Sequence, residues 1–356
     1  MGIMTNTQIP IIDASPLFQD ASLSSPKARE TIAQIHSAFT TWGIFLLTGT
    51  HCIPPNLTVS LRQALDAFFS LSPEQKAAIH LQKGGWAWRG YMPWGGEGSG
   101  GLIDQKEGFY GGPELRPGVD DAMVGLPTYG KNQFPDAYVP ELRGLVLEYI
   151  DKVTELGLLI SDALSVGLGL GKDEVRKRFL RPEPIQLFRA FKYSGREGHQ
   201  TCGIGEHTDF GFLTILAQNA TGLQVVSPQG DWTGVPVVED SFVVNVGDIL
   251  DRLTSGLYVA PVHRVLPPSL TSPRLSIPFF FDPAWTAKIE ALPLAHNPDA
   301  AALKRWERRS TFNTLQGVWG QYLGVKVQKV FPDLVLPEFP AVSRASTRHL
   351  VAVQKV

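Results

Sequence analysis

Seven short runs rich in β-forming residues crowd the stretch between Ile185 and Phe281, and this pattern restricts the fold more than any other feature of the chain. The runs are IQLFRAFKY, HTDFGFLTILA, GLQVVS, DWTGVPV, SFVVNV, VAPVHRV and RLSIPFFF. Turn residues separate them at short intervals, which is the spacing of a sandwich or barrel. The preceding chain has another texture. IPIID, residues 9–13, reads as a strand, Ser25-Pro26 as a helix start, and Ile32, Ile35, Phe39 and Trp42 as the buried face of that helix. Gly43 ends it, IFLLTG follows as a buried strand, and a second helix is expected over about 55–70. From Val139 to about Leu164 the apolar residues recur at helical spacing, predicting the longest helix. GLGLG at 167–171 follows that helix and not a strand, so it reads as a helix stop and not as a nucleotide loop. The region from about 301 to 330 returns to helix.

Segment 84–118 combines many glycines with Trp86, Trp88, Tyr91, Trp94, Phe109 and Tyr110. It reads as a long loop, either docking its aromatics on the core or lining a substrate pocket.

Composition removes several classes of function. Lys+Arg of 32 against Asp+Glu of 34 gives a net charge of −2, which offers no basic surface for a phosphate backbone or an anionic membrane. No apolar leader or membrane-length run stands out. Cys52 and Cys202 are too few for a disulfide framework or a structural zinc site. These features suggest a soluble, cytoplasmic protein acting on a small molecule, as a monomer or weak dimer.

Two polar residues interrupt the apolar run GEHTDFGFLTIL. On one strand His207 and Asp209 would project to the same side, where they can share a metal or simply hydrogen-bond each other. His263 lies in VAPVHRV, 56 positions on and again in an apolar β-like run. Two imidazoles and one carboxylate leave several coordination positions open, as in non-haem Fe(II) oxygenases and unlike a closed zinc site. The histidines at 36, 51, 80, 199, 296 and 349 read as ordinary. Arg274 and Ser276 share one face of RLSIPFFF, and an arginine aimed into an apolar barrel calls for an anion, either a ligand carboxylate or an internal salt bridge. Phe280 falls on that same face and is expected to meet a substrate or to be core.

HTD at 207–209, NVGD at 245–248, HRV at 263–265 and RLS at 274–276 carry a resemblance in order and spacing. The chain resembles the Fe(II)/2-oxoglutarate-dependent dioxygenases, in the branch that includes isopenicillin N synthase and the plant flavonoid and gibberellin oxygenases. IPIID, WGIFLLTGT, FFSLSPEQK and the RGY at 89–91 extend it over about residues 9–335. The resemblance implies mixed α and β structure with a distorted double-stranded β-helix, or jelly roll, and flanking N- and C-terminal helices. It implies an N-terminal α/β region at 7–135, a long scaffold helix and connection at 136–180, the jelly-roll core at 181–290 and a helical region and tail at 291–356. It further implies Fe(II) on His207, Asp209 and His263, 2-oxoglutarate on Arg274, Ser276 and Tyr193, O2 as co-substrate, and Tyr91 with Phe280 toward the substrate. Phe191 and Ser194 stand where many relatives have the Asn and Pro of an Asn-x-Tyr-Pro motif. The implied reaction oxidises a C–H bond of a small metabolite, by hydroxylation, desaturation or ring closure. Two rival readings are an iron oxidase that needs no 2-oxoglutarate and a metal-binding protein on an inactive oxygenase scaffold.

Overall fold

Strands buried at nearly every position have cover on both faces, and the two most uniformly buried long runs here, LTILAQ and RLSIPFFFD, occupy the middle of the larger of two facing sheets. The computed structural model describes residues 8–99, 102–118, 120–194, 203–266, 273–307 and 317–331. Its strands, in chain order, are β1 (Ile11–Asp13), β2 (Ile44–Thr48), β3 (Gly90–Met92), β4 (Gly98–Ser99), β5 (Leu102–Ile103), β6 (Lys106–Gly111) and β7 (Ile185–Tyr193). They continue with β8 (Ile204–His207), β9 (Leu213–Gln218), β10 (Leu223–Val226), β11 (Trp232–Gly234), β12 (Phe242–Val246), β13 (His263–Val265) and β14 (Arg274–Asp282). The major sheet has the order β1-β2-β12-β9-β14-β7-β6-β3, and the minor sheet the order β11-β10-β13-β8.

One face of the major sheet packs on helices. The longest of these, Glu141–Gly167, carries Gly157 where a Cβ would fall 2.8 Å from the Phe281 ring, so glycine lets the helix lie close to β14. The other face meets the minor sheet. Met92, Tyr110, Phe191, Tyr193, Leu216 and Val243 from one side pack with Ile204, Leu223, Val225 and Val265 from the other as a separate interior cluster. This is the sandwich expected of the jelly roll.

The helices Pro26–Thr41 and Pro55–Phe69 begin where the sequence predicts, and a further short helix, Pro73–Ala77, follows them. Ser25 accepts from the Ala28 N–H at the start of Pro26–Thr41, and Ser72 and Gln75 cap Pro73–Ala77 reciprocally. The expectation for 84–118 needs correction. That segment supplies β3 and β6, and β6 pairs with β7 over six residues, so Tyr91, Phe109 and Tyr110 belong to the sheet while Trp86, Trp88 and Trp94 lie outside the strands. No helix among the described residues is long and apolar enough to cross a membrane.

Candidate metal centre

β8 ends at His207 and β13 begins at His263, and the two residues sit directly opposite each other in the antiparallel register. Their rings are 4.2 Å apart between centroids. Asp209 does not share a strand with His207. It lies in the turn between β8 and β9, so the period-two argument gives way to a turn that swings the carboxylate toward both rings. Asp209 Oδ1 stands 3.9 Å from His207 Nε2 and 3.8 Å from His263 Nε2, and the three candidate ligand atoms lie within 4.8 Å of one another.

Each group is held from behind. His207 Nδ1 donates to Gly205 O at 2.8 Å and His263 Nδ1 to Pro261 O at 3.1 Å, an assignment that leaves both Nε2 lone pairs facing the carboxylate. Asp209 Oδ2 accepts from Thr214 Oγ1 at 2.5 Å and Asn245 Nδ2 at 2.8 Å, which leaves Oδ1 for the shared centre. Burial, reinforced by His263 and opposed by Asp209, pushes the His207 imidazole down to about 4, so it is neutral at pH 7. Burial opposes ionisation of Asp209, yet the two imidazoles and its two hydrogen bonds together hold it below the usual carboxylate range. A divalent ion fits this set. At metal–ligand bonds of about 2.1 Å, adjacent octahedral ligands are about 3 Å apart, so the two distances from Asp209 need to close by about 1 Å. Three ligands on one side leave the other side open, as the facial arrangement requires.

Asn245 and Thr214 were not assigned roles from the sequence. Their signal was present: each is a polar interruption of an apolar strand, and the register places them directly opposite each other.

Arg274 and Tyr193 are cross-strand partners, and the guanidinium lies 5.0 Å from the Tyr193 ring centroid. Arg274 is 4% exposed. Its Nη2 donates to Gln218 Oε1 at 3.1 Å, while Nε and Nη1 are buried without a partner. Among the described residues no carboxylate pairs with it. Burial lowers the guanidinium pKa, and Tyr193 opposes that shift. Ser276 is buried one pleat further along, opposite Phe191 and Gln218. Phe191, standing where relatives have Asn, lies 4.2 Å below the ammonium of Lys106, which is buried between Glu97 and Asp104 at 3.1 Å from each. Ser194 follows the end of that strand.

Phe280 is opposite Thr214 and therefore on the metal side of the sheet, where it is half-buried. Tyr91 is placed elsewhere. It packs on Phe68 across the helix-facing side and donates to Glu107 Oε2 at 2.8 Å, because the pairing Tyr91–Phe109 turns it away from the interior while Gly90 and Met92 face in. His199, Cys202 and His349 lie outside the described residues. Cys52 is half-buried, and burial pushes its thiol up to about 11.

The turn holding Asp209 is clamped on three sides. Asp209 O accepts from Asp248 N at 2.7 Å, Gly211 O from Ile249 N at 3.0 Å, and Asp282 Oδ1 from Phe212 N at 2.9 Å. A Cβ on Gly211 would lie 2.1 Å from Asp282 Oδ1, and one on Gly247 would lie 2.1 Å from Gly211 O. Asp282 is fully buried, its Oδ2 has no partner, and burial, with help from Asp209 and against the Phe212 bond, pushes it up to about 7. Its folded value exceeds the ordinary 3.8, so the stability it contributes is complete below about pH 4 and is lost as pH rises through about 7. In the metal-free protein Asp282→Asn keeps the acceptor and removes the charge. It should flatten that loss and raise stability at pH 8 by a few kcal/mol, on the order of the shift. Denaturant titrations of both proteins from pH 4 to 8 check this, and identical pH slopes would refute the role of the carboxyl.

Comparison with known proteins agrees with this geometry. Residues 9–137 match the family model for the N-terminal region of the non-haem dioxygenase in morphine synthesis, and residues 184–283 match that of the 2OG-Fe(II) oxygenase superfamily. A probable iron/ascorbate oxidoreductase of Dictyostelium discoideum is 35% identical, with 93% of this chain and 97% of that protein covered. The 2-oxoglutarate-dependent dioxygenase citB of Monascus ruber is 34% identical over 77% of this chain and 84% of its own. Among solved structures, full-length Neurospora crassa T7H in complex with alpha-KG superposes with a TM-score of 0.70 at 26% identity, covering 91% of this chain and 96% of that one.

Proposed function

Because the chain belongs to the 2OG-Fe(II) oxygenase superfamily, we propose that His207, Asp209 and His263 are its iron ligands and that Arg274 and Ser276, with Tyr193 beside them, hold the far carboxylate of 2-oxoglutarate. The protein is a non-haem Fe(II)/2-oxoglutarate-dependent dioxygenase that oxidises small molecules. The observation that carries the residue assignment is the pairing of two features inside one sandwich. Two imidazole Nε2 atoms converge on a single carboxylate oxygen, and a buried guanidinium with two unused donors stands on the facing sheet.

Iron with 2-oxoglutarate and O2 supplies oxidative decarboxylation to succinate and CO2, coupled to oxidation of a substrate C–H bond. The side chains of this chain hold and shield that chemistry. Gly205 and Pro261 fix the imidazole tautomers, Thr214 and Asn245 aim the carboxylate, and the interior cluster keeps bulk water from the guanidinium. Phe280, beside Thr214, is a substrate-side residue in this reading. Of the four regions 7–135, 136–180, 181–290 and 291–356, the first and third act as one unit in this reading, since β2 and β6 pair with β12 and β7. We place the enzyme in the cytoplasm as a monomer or weak dimer, without nucleic-acid or membrane partners.

The test is stoichiometric. With a turning-over substrate, each oxidised molecule should be matched by one succinate and depend on added 2-oxoglutarate. Substrate oxidation without succinate would instead favour the oxidase reading, in which Arg274 and Ser276 hold the substrate's own carboxylate.

A further inference from the structure

The helix Trp319–Val330 contributes side chains to both buried clusters. Val327 is fully buried in the interior cluster with Leu216 and Val243, while Trp319 and Tyr322 pack on Phe210, the residue after Asp209, at centroid distances of 6.2 and 6.0 Å. Lys326 projects from the same helix. Its ammonium stands 5.1 Å from the Phe210 centroid and 5.2 Å from that of Tyr322, and among the described residues it has no ion pair. Two buried lysines, Lys76 and Lys106, have carboxylates within 3.1 Å. Lys326 is half-buried, and ring faces replace only part of the hydration that such a side chain loses, so an anion at this point would be favoured.

We propose that Lys326 anchors the carboxylate of the primary substrate, making that substrate a small carboxylic acid whose apolar or aromatic body rests against Phe210 and the sandwich interior. This rests on the reading that His207, Asp209 and His263 hold the metal, because Phe210 follows the ligand Asp209 and ties the anchor to the turn that carries it. Arg274 and Lys326 thus divide two anions, one for the co-substrate and one for the substrate. The local charges fit this division. Burial and Lys329 push the Lys326 ammonium down, to about 8, and the carboxylate of Asp248 opposes the shift without reaching it. A bound carboxylate would supply the missing partner.

The alternative is that Lys326 only fastens the helix to Phe210, and calorimetry separates the two. Phenylacetate and its neutral isostere phenylacetamide are titrated into protein loaded with redox-inert Ni(II) and 2-oxoglutarate. The wild type should prefer the acid by about tenfold or more, the range of a partly desolvated charge pair. Lys326→Met should erase that preference with amide affinity unchanged, and Lys326→Arg should retain most of it. Equal binding of acid and amide by the wild type, no binding of either, a preference that survives Lys326→Met, or parallel loss of both ligands in that variant would each overturn the proposal. The titrations are repeated on Ni(II) protein without 2-oxoglutarate. A protein that fails to take 2-oxoglutarate therefore counts against the co-substrate assignment, while the acid-to-amide ratio still decides on Lys326.

Discussion

His263→Ala and Asp209→Ala proteins should each lose iron and turn over substrate at least about a thousandfold more slowly than the wild type. The expectation follows from how few atoms build the centre. Asp209 Oδ1 is the one carboxylate oxygen facing both Nε2 atoms, at 3.8 and 3.9 Å, and its partner Oδ2 is already committed to Thr214 and Asn245. No other His, Cys, Asp or Glu among the described residues completes a set with the remaining pair. Removing only an outer hydrogen bond to a metal ligand typically weakens metal binding about 10- to 100-fold, so Thr214→Val and Asn245→Ala set the lower bound for loss of the ligand itself. Iron content after gel filtration and single-turnover rates measure both effects. A His263→Ala protein that keeps full iron occupancy and activity would show that the ligand set is wrong.

Much of this arrangement can be read from the chain because it rests on strand periodicity. Arg274, Ser276 and Phe280 share a face by the period of two, and the structure pairs them with Tyr193, Gln218 and Thr214 in continuous register. Other parts depend on contacts made far along the chain. HTDFGFLTILA reads as one strand because its break carries no proline or asparagine. The turn at 208–212 is stabilised instead by Asp282, 70 residues later, and by backbone bonds from the NVGD segment. Segment 84–118 fails for the opposite reason. Glycines that suggest a loop sit in β3 and β6 under large rings; a Cβ on Gly108 would lie 2.8 Å from the Tyr110 ring of the same strand and 3.2 Å from the Phe191 ring of the next, so the packing of both rings favours glycine. Tyr91 then follows from register, since one residue either way would face the interior. That Lys326 rises beside Phe210 depends on where the last helix docks, which helical periodicity alone leaves open.

The charge that most sharply separates a 2-oxoglutarate enzyme from a co-substrate-independent oxidase is Arg274. In the wild type its Nε and Nη1 donors are buried without partners, and Gln218 already occupies Nη2, so an incoming carboxylate finds two free donors in a water-poor site. Loss of such a charge-assisted contact costs about 2 to 5 kcal/mol by analogy with buried charge pairs. Arg274→Met should therefore bind 2-oxoglutarate roughly 30-fold to several-thousand-fold more weakly, with iron affinity unchanged because the guanidinium touches none of the three ligands. Arg274→Lys should recover little, since a point charge cannot reproduce the planar fork and loses the stacking over Tyr193. Anaerobic titration of the Fe(II) protein reads this directly, because bidentate chelation by 2-oxoglutarate gives a visible metal-to-ligand absorption band. If Arg274→Met retains wild-type affinity in that titration, the far carboxylate lies elsewhere. If the wild type itself shows no band and oxidises substrate without forming succinate, the unused donors of Arg274 belong to the substrate, and the enzyme works without the co-substrate.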